Sequence, residues 1–339
     1  MPIALEVIQP HPTWGILDSS KLTTYMSCPR KYFFRYLLGW HPSSANNHLV
    51  FGSAWHVALE YLHQSKMSRQ SVLEAQVMFL EYYRQTFPPE TDELFAPKTP
   101  ANAFTSIEDY ATKYRHECDE YEVLYTELGG IVLVSDTRTM TFKCDAILRA
   151  RNDNIIGLDQ KTTGRKFSDW GDHWTLSTQM LTYLHALKCL YPDENAEMLV
   201  RQATFYSVDK RNGKQRPTDF DEQPIGKSDA QMQAWLERTN QWIDRMQIDM
   251  DILMNEDNTD NSVMRSYPQN DTACFNFGRR CEFFDFCNAW PNPLTRCDQT
   301  PIGFHIEWWD PLAQPEIRTR INLATQSGQP VEMVRNNAN

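Results

Sequence analysis

The sequence predicts an α/β protein with a mixed central sheet that is flanked by helices. Short segments rich in β-branched or alternating apolar residues lie between longer segments of helical periodicity. They follow one another in the order helix, three strands, helix, strand, with helical additions before and after, which is typical of a layered core. With 339 residues, of which 41% are hydrophobic, the chain can bury a substantial core.

Helices are predicted for the N-terminal third of the chain. Ser19 or Ser20 can cap a helix that continues to about Leu38, where Gly39 ends it. Further helices are expected around Trp55 and His56, over 68–87 and over about 101–128. A loop rich in proline separates the last two, because proline interrupts helical hydrogen bonding.

The strands of the predicted sheet come next, where β-branched residues alternate with polar ones between short turns. They are expected over 131–134, 139–149, 154–161 and 198–208, with a helix over 172–191 before the last strand and another over 229–253 after it. Residues 14–292 are therefore expected to form one domain. Pro, Asn, Gln and Thr recur without periodicity in 293–339, which predicts a poorly packed tail that could be flexible.

Composition restricts the classes of function. The net charge of −11 argues against a protein that coats duplex DNA by bulk electrostatics, although a carboxylate site for divalent cations would itself add acidic residues. No run of about 18 apolar residues and no N-terminal secretory pattern is present, so a cytoplasmic protein without membrane contact is expected. In a reducing compartment, the eight cysteines are better explained as core thiols or metal ligands than as disulfides.

Acidic residues in two predicted strands indicate a metal site. Asp159 and Lys161 alternate with Leu158 and therefore project from the same face of one strand. Asp145 lies among apolar neighbours in the preceding strand, where an unpaired carboxylate would be costly to bury. Two acids on adjacent strands supply hard oxygen ligands for a divalent cation, and a nearby amine can orient a water molecule. The alternative is a solvated acid–amine pair at the end of a strand.

Four motifs resemble those of the RecB-like and Cas4-like nucleases of the PD-(D/E)XK superfamily. In chain order, they are Gly52-Ser53-Ala54-Trp55-His56, then Asp145, then Asp159-Gln160-Lys161, then Gln179-Met180-Leu181-Thr182-Tyr183. The resemblance spans about residues 17–290. It implies a restriction-endonuclease-like core, whose helix, three-strand, helix, strand order agrees with the pattern above.

The resemblance also implies roles for these residues. Four of them are implied to bind Mg²⁺ or Mn²⁺, namely His56, Asp145, Asp159 and Gln160. Lys161 would position the attacking water, while Gln179 and Tyr183, which are four residues apart on one helix face, would reach the DNA or the surroundings of the metal. As alternatives, His56 could be a satisfied core histidine and Tyr183 could be plain core packing.

Cysteines at the two ends of the chain resemble the [4Fe–4S] ligands of the same family. The resemblance implies that an iron–sulfur cluster, held by Cys28, Cys274, Cys281 and Cys287, clamps a helical cap. Family members often have two residues between the first two late cysteines, whereas six residues separate Cys274 from Cys281 here. Cys297 could therefore replace Cys274, zinc could replace the cluster, or the thiols could be unligated.

The function expected from these observations is a metal-dependent DNA nuclease. More narrowly, we expect a single-strand DNA exonuclease in recombination, repair or DNA processing, with Arg165 and Lys166 as phosphate contacts. A helicase or recombination partner would supply unwinding, because the sequence contains no P-loop. The alternatives are a catalytically silent DNA-binding or adaptor protein of the same fold and a small-molecule metalloenzyme.

Overall fold

A mixed β-sheet forms the centre of the protein. The computed structural model describes residues 8–209, 211, 213–256, 263–276, 279–324 and 331–335. Its strands are β1 (Trp40–Pro42), β2 (Tyr121–Leu133), β3 (Thr139–Ala150), β4 (Ile155–Thr163), β5 (Ala196–Thr204), β6 (Asp219–Ile225), β7 (Phe275–Asn276), β8 (Arg279–Arg280), β9 (Phe304–Ile306), β10 (Thr319–Leu323) and β11 (Val331–Arg335). The central sheet has the order β11-β10-β2-β3-β4-β5-β6, with β10–β2 and β4–β5 parallel and β3–β4 and β5–β6 antiparallel.

Helices flank this sheet, as the sequence predicts, so the predicted fold class is confirmed. The helices of the described residues are α1 (Ser19–Ser27), α2 (Pro29–Tyr32), α3 (Asn47–Gln64), α4 (Arg69–Arg84), α5 (Pro100–Tyr114), α6 (Trp170–Thr175), α7 (Thr178–Leu190), α8 (Asp229–Leu253) and α9 (Phe284–Ala289). A π-helical turn, Phe33–Leu37, follows α2. Among the described residues, no helix combines the length and the apolar character needed to cross a membrane.

The chain divides into two compact units that interleave in sequence. The first, here the helical unit, comprises residues up to Ser44, Leu133–Thr141 and Asp229–Ala313. The second, here the sheet unit, comprises Ala45–Val132, Phe142–Ser228 and the residues from Gln314 onward. The single domain expected over 14–292 is therefore two units, and the chain passes between them several times.

The sheet unit contains the strands that carry the acidic motifs. Its helices α3, α4 and α5 share a core of aromatic side chains, with the rings of Phe51 and Phe79 5.2 Å apart and those of Trp55 and Phe205 5.4 Å apart. Helix α7 packs closely against β4 at Gly157, where an added Cβ would lie 2.7 Å from a methyl group of Leu187. A glycine is therefore required two residues before Asp159.

The helical unit has an aromatic core of its own. Residues near the N-terminus meet residues from the last third of the chain, as in the pairs Tyr32–Tyr267, 5.9 Å apart, and Phe34–Phe283, 5.2 Å apart. Asp249 of α8 links the same two segments, because it accepts hydrogen bonds from the Tyr25 hydroxyl at 2.6 Å and from the Tyr267 amide at 3.0 Å. The N-terminal helices thus depend on distant sequence for their packing.

Several predicted boundaries are wrong. The helix expected from Ser19 to Leu38 is interrupted at Cys28, whose extended backbone precedes Pro29. The helix expected over 101–128 ends at Tyr114, and β2 begins at Tyr121, where β-favouring Tyr, Val and Thr residues recur.

The poorly packed tail expected at 293–339 also needs correction over the described residues. Strand β9 pairs with β1 in the helical unit, and β10 pairs in parallel with β2 in the sheet unit. Leu294, Ile317 and Ile321 are buried. A strand of five residues gives a weak sequence signal, and its pairing depends on a partner that is far away in the chain.

Candidate metal centre

The acidic motifs meet where β3 and β4 stop pairing. Their antiparallel ladder runs from Arg149–Ile155 to Ala146–Leu158, and Asp145 and Asp159 come directly after it. Beyond that point, the amide N–H of Gln160 donates a hydrogen bond to Oδ2 of Asp145 at 2.7 Å. The end of the ladder therefore holds one carboxylate against the backbone of the neighbouring strand.

Three side chains form a compact ligand set at this fork. His56 of α3, Glu127 of β2 and Asp145 of β3 each present one ligand atom, and these atoms lie within 4.8 Å of one another. Nδ1 of His56 is 3.2 Å from Oδ1 of Asp145. A nitrogen and two carboxylate oxygens at this spacing are a suitable donor set for a divalent metal ion.

Glu127 is the member of this set that sequence reasoning missed. It was assigned to a predicted helix, whereas it lies in β2 with only 3% of its surface exposed. Its φ of 47° is in the left-handed region, which is unfavourable for a residue with a side chain, and strained residues of this kind cluster at functional sites. Two glycines that follow Glu127 after one intervening residue, Gly129 and Gly130, and the β-branched residues after them were the available signal.

The two carboxylates of the set have pKa values that are shifted in opposite directions. Burial would raise the pKa of Asp145, but the charge and hydrogen bond of His56 lower it to about 2. Burial and the charge of Asp145 raise the pKa of Glu127 to about 7, although Lys143 lies 2.8 Å from Oε2 of Glu127. A bound cation would therefore stabilise the ionised form of Glu127.

Asp159 and Lys161 form an ion pair beside this set. Nζ of Lys161 is 2.6 Å from Oδ2 of Asp159, and the Asp159 side chain is 1% exposed. Among the described residues, this oxygen has no partner that meets the angular criteria for a hydrogen bond. Burial raises the pKa of Asp159 to about 6 against the opposing charge of Lys161. Asp159 lies outside the three-residue group in which all ligand atoms are within 4.8 Å.

The remaining predicted residues are divided between two environments. The Gln160 side chain donates to the hydroxyl of Tyr110 at 2.7 Å, so it is turned towards α5 and is committed there. On α7, Nε2 of Gln179 donates to the hydroxyl of the buried Tyr183 at 2.9 Å. Lys161 lies 5.6 Å from the ring of Trp174 on α6, a residue that the sequence did not single out.

Comparisons with known proteins agree with this arrangement. The sequence matches the PD-(D/E)XK nuclease superfamily over residues 19–288, which is most of its length. The chain belongs to the PD-(D/E)XK nuclease superfamily. Members of this superfamily hydrolyse phosphodiester bonds of nucleic acids with the help of divalent metal ions. Membership therefore indicates nuclease activity, and the acidic group at the fork is a suitable site for the metal.

Other comparisons add little to this identity. No curated protein matches the nuclease sequence. Among solved structures, the crystal structure of SSO0001 is similar over 66% of this chain and 82% of its own chain, with 14% sequence identity and a TM-score of 0.25.

The nuclease also brings together four cysteines in its helical unit. A small cavity of about 20 Å³ is lined by Cys28, which separates α1 from α2, and by Cys274, Cys281 and Cys287. Cys297 does not line this cavity. In the described part of the chain, no three of the four thiols have sulfurs within 4.8 Å of one another. Cys274, and not Cys297, therefore lies with Cys28, Cys281 and Cys287 around this cavity.

Polar contacts of the nuclease hold the two halves of this cysteine cluster together. Glu282 accepts from Nζ of Lys31 at 3.1 Å and from Nη1 of Arg35 at 3.2 Å, although Lys31 and Glu282 are 251 residues apart in sequence. Arg30 is 3% exposed and donates from Nε to the carbonyl of Tyr267 at 2.9 Å. Its positive charge lies near Cys28 and Cys287, where it would offset the charge of thiolate ligands.

The predicted phosphate contacts differ from each other. Nζ of Lys166 is 2.8 Å from Asp221 and 3.5 Å from Asp219, so acidic side chains already neutralise it. The guanidinium of Arg165 lies 5.2 Å from the ring centre of Phe167, which is 40% exposed. Of the two basic residues, Arg165 is the one placed beside an accessible aromatic ring of the nuclease.

Proposed function

We propose that the protein is a Mg²⁺- or Mn²⁺-dependent deoxyribonuclease that degrades single-stranded DNA from an end. The observation that carries the proposal is the convergence of His56, Glu127 and Asp145 beside the Asp159–Lys161 pair. A divalent ion bound there would polarise the scissile phosphate and lower the pKa of a water molecule. In this arrangement, His56, Glu127 and Asp145 hold the ion, and Asp159 completes the site.

The other residues act on the reactants. The amine of Lys161 is fixed by Asp159 and orients the attacking water or contacts the phosphate, which lowers the entropic cost of reaching the reactive geometry. Gln179 is half-exposed and hydrogen-bonded to Tyr183, so its amide is held where it can reach the DNA backbone. The Gln160 side chain is not proposed as a metal ligand, because Tyr110 already binds it.

A [4Fe–4S] cluster is proposed for the four-cysteine cavity, as in the RecB-like and Cas4-like nucleases that the sequence resembles. Four sulfurs bound to one zinc at about 2.3 Å would lie about 3.8 Å apart in a tetrahedron. In a [4Fe–4S] cluster the thiolates bind separate irons and lie farther apart. The cluster is favoured because, among the described residues, no three of these sulfurs lie within 4.8 Å of one another. Cys28, Cys274, Cys281 and Cys287 would hold the cluster, which would supply a covalent link between the ends of the helical unit.

An unpaired strand is the substrate that the surroundings of the site favour. The net charge of −11 disfavours a binding mode that depends on many phosphate contacts along a duplex. Trp174 and Phe167 instead offer ring faces near Lys161 and Arg165, and base stacking is available only when bases are unpaired. Separating a duplex would then fall to a helicase or recombination partner.

End-labelled DNA tests the proposed function directly. With Mg²⁺ or Mn²⁺, linear single strands of differing sequence should be degraded at similar rates, and a closed single-stranded circle should survive much longer. Chelation should stop all cleavage. Cleavage of the circle as fast as the linear strand would show an endonuclease, whereas DNA binding without cleavage in any metal would show a silent DNA-binding protein.

Trp174→Ala should weaken the use of single-stranded DNA. Loss of one stacked base is expected to raise KM about 10-fold, because such stacking contributes about 1–3 kcal/mol, while Trp174→Phe should retain most of the affinity. Steady-state cleavage of linear oligonucleotides measures both variants. Oligonucleotides with abasic positions near the cut are the control. If Trp174→Ala loses the same factor on abasic DNA, the ring does not stack on a base.

A further inference from the structure

A row of polar side chains crosses the sheet behind the metal centre. The strand register places Gln160 of β4 beside Arg201 of β5, and Arg201 beside Glu222 of β6. Arg201 is 1% exposed, so its charge is almost fully removed from water. Burial of a guanidinium is costly unless its charge and its N–H groups are matched, and apolar residues would often stabilise a core equally well.

The partners of Arg201 fix it in one position. Its Nη2 is 2.7 Å from Glu117, its Nε donates to Glu222 at 2.7 Å, and its Nη1 donates to the hydroxyl of Tyr110 at 2.8 Å. The guanidinium also lies 3.5 Å from the ring centre of Tyr114. Its N–H groups are thus directed at defined acceptors, and one of them aims at α5.

The Tyr110 hydroxyl connects Arg201 to β4, the strand that carries Asp159 and Lys161. It accepts from Nη1 of Arg201 and from Nε2 of Gln160, the latter at 2.7 Å. Nε2 of His63 lies 3.2 Å from the same hydroxyl, whose own proton is directed there because its two acceptor positions are already taken. Burial and the charge of Arg201 lower the pKa of His63 to about 3, so the ring is neutral and can accept. All hydrogen-bonding positions of the hydroxyl are occupied, and the Gln160 side chain is held.

We propose that Arg201 and Tyr110 are positioning residues for the metal centre, which they order through Gln160. The amide of Gln160 is the group that donates to Oδ2 of Asp145 at 2.7 Å, while Oδ1 of Asp145 faces His56 at 3.2 Å. A Gln160 fixed by its side chain keeps its amide, and hence the metal-binding carboxylate, in one orientation. The inference rests on the proposed metal-dependent nuclease function.

Two buried tyrosines one helical turn apart make a matched pair for the test. Tyr110→Phe removes the hydroxyl that binds Gln160 and Arg201. Tyr114→Phe is the control, because the Tyr114 hydroxyl is buried and has no hydrogen-bond partner among the described residues. Calorimetry with Mn²⁺ alone should show a Kd raised about 10- to 100-fold in Tyr110→Phe, the range typical for groups that orient metal ligands. Tyr114→Phe should match the unaltered protein.

A second variant separates positioning from folding. Gln160→Met keeps the amide on Asp145 but loses the side-chain link, so it should weaken Mn²⁺ binding as Tyr110→Phe does. The double variant should be no worse than either single one, because both break the same connection. Without any metal, hydrogen–deuterium exchange of the segment containing Gln160 should be faster in both single variants than in Tyr114→Phe.

Contrary results would be clear. If Tyr110→Phe lowers Tm but binds Mn²⁺ with the original Kd, the network is structural only and the inference fails. Additive losses in the double variant would also contradict a single chain of contacts. If the unaltered protein binds Mn²⁺ but cuts no DNA, the proposed nuclease function fails, while Mn²⁺ affinity in the variants still decides the positioning role.

Discussion

Asp145→Asn is expected to lower the rate of DNA cleavage by about 1000-fold and to abolish Mn²⁺ binding at the metal centre. The amide keeps the shape of the side chain but loses the charge that pairs with His56 at 3.2 Å and would hold the metal. Charge stabilisation by a catalytic metal contributes several kcal/mol, and each 1.4 kcal/mol corresponds to about 10-fold in rate. Single-turnover cleavage and calorimetry with Mn²⁺ measure the two effects.

Asp153→Asn is the matched control for this substitution. It makes the same chemical change in the same β3–β4 hairpin, but the Asp153 side chain is 81% exposed and lies in the turn. Its rate and its Mn²⁺ affinity should equal those of the unaltered protein. Substantial cleavage by Asp145→Asn, with Mn²⁺ still bound, would mean that the metal is held elsewhere.

Cys281→Ser should remove the proposed iron–sulfur cluster and destabilise the helical unit. Protein purified without oxygen should be brown, and the variant should be colourless. The cluster would close a loop of the length that separates Lys31 from Glu282, 251 residues, for which chain entropy predicts a loss of about 5 kcal/mol. Thermal unfolding should then begin more than about 10 °C lower. Visible absorbance, iron analysis and calorimetry measure these changes.

Cys297→Ser is the control, because Cys297 lies in the same unit but does not line the cavity. It should stay brown and retain its Tm. Bleaching by Cys297→Ser would show that the cavity has been assigned to the wrong cysteines. Colourless unaltered protein with about one zinc per chain would replace the cluster by a zinc site, and colourless protein without metal would remove both.

The sequence predicts those parts of the site whose signals are local. The alternation of side chains along β4 places Asp159 and Lys161 on the same face of the strand. Asp145 is conspicuous in the sequence because it is an acid among apolar residues. The helix expected over 229–253 matches α8, because a long, regular helical pattern is the kind that a sequence shows most clearly. The fold class follows from the order of such segments, and the family match supports it.

Glu127 and β10 could not be predicted in the same way. The segment before Glu127 continues a helical pattern, and only pairing with the neighbouring strands decides that β2 begins at Tyr121. Likewise, β10 is a strand because it pairs with β2, and a segment of five residues gives no sequence signal for such a distant partner. The link from Gln160 to Tyr110 also joins distant segments, so the sequence does not single out Tyr110.

The interleaved helical unit determines the order in which the protein can mature. Tyr32, Phe33 and Phe34 precede their partners Tyr267 and Phe283 by roughly 235–250 residues, whose synthesis takes about 12–50 s at ordinary elongation rates. During that interval, the aromatic N-terminal segment has no native cover. Apolar surface that is exposed for this long is prone to aggregate, so we expect this segment to be the part of the nascent chain most exposed to misassembly.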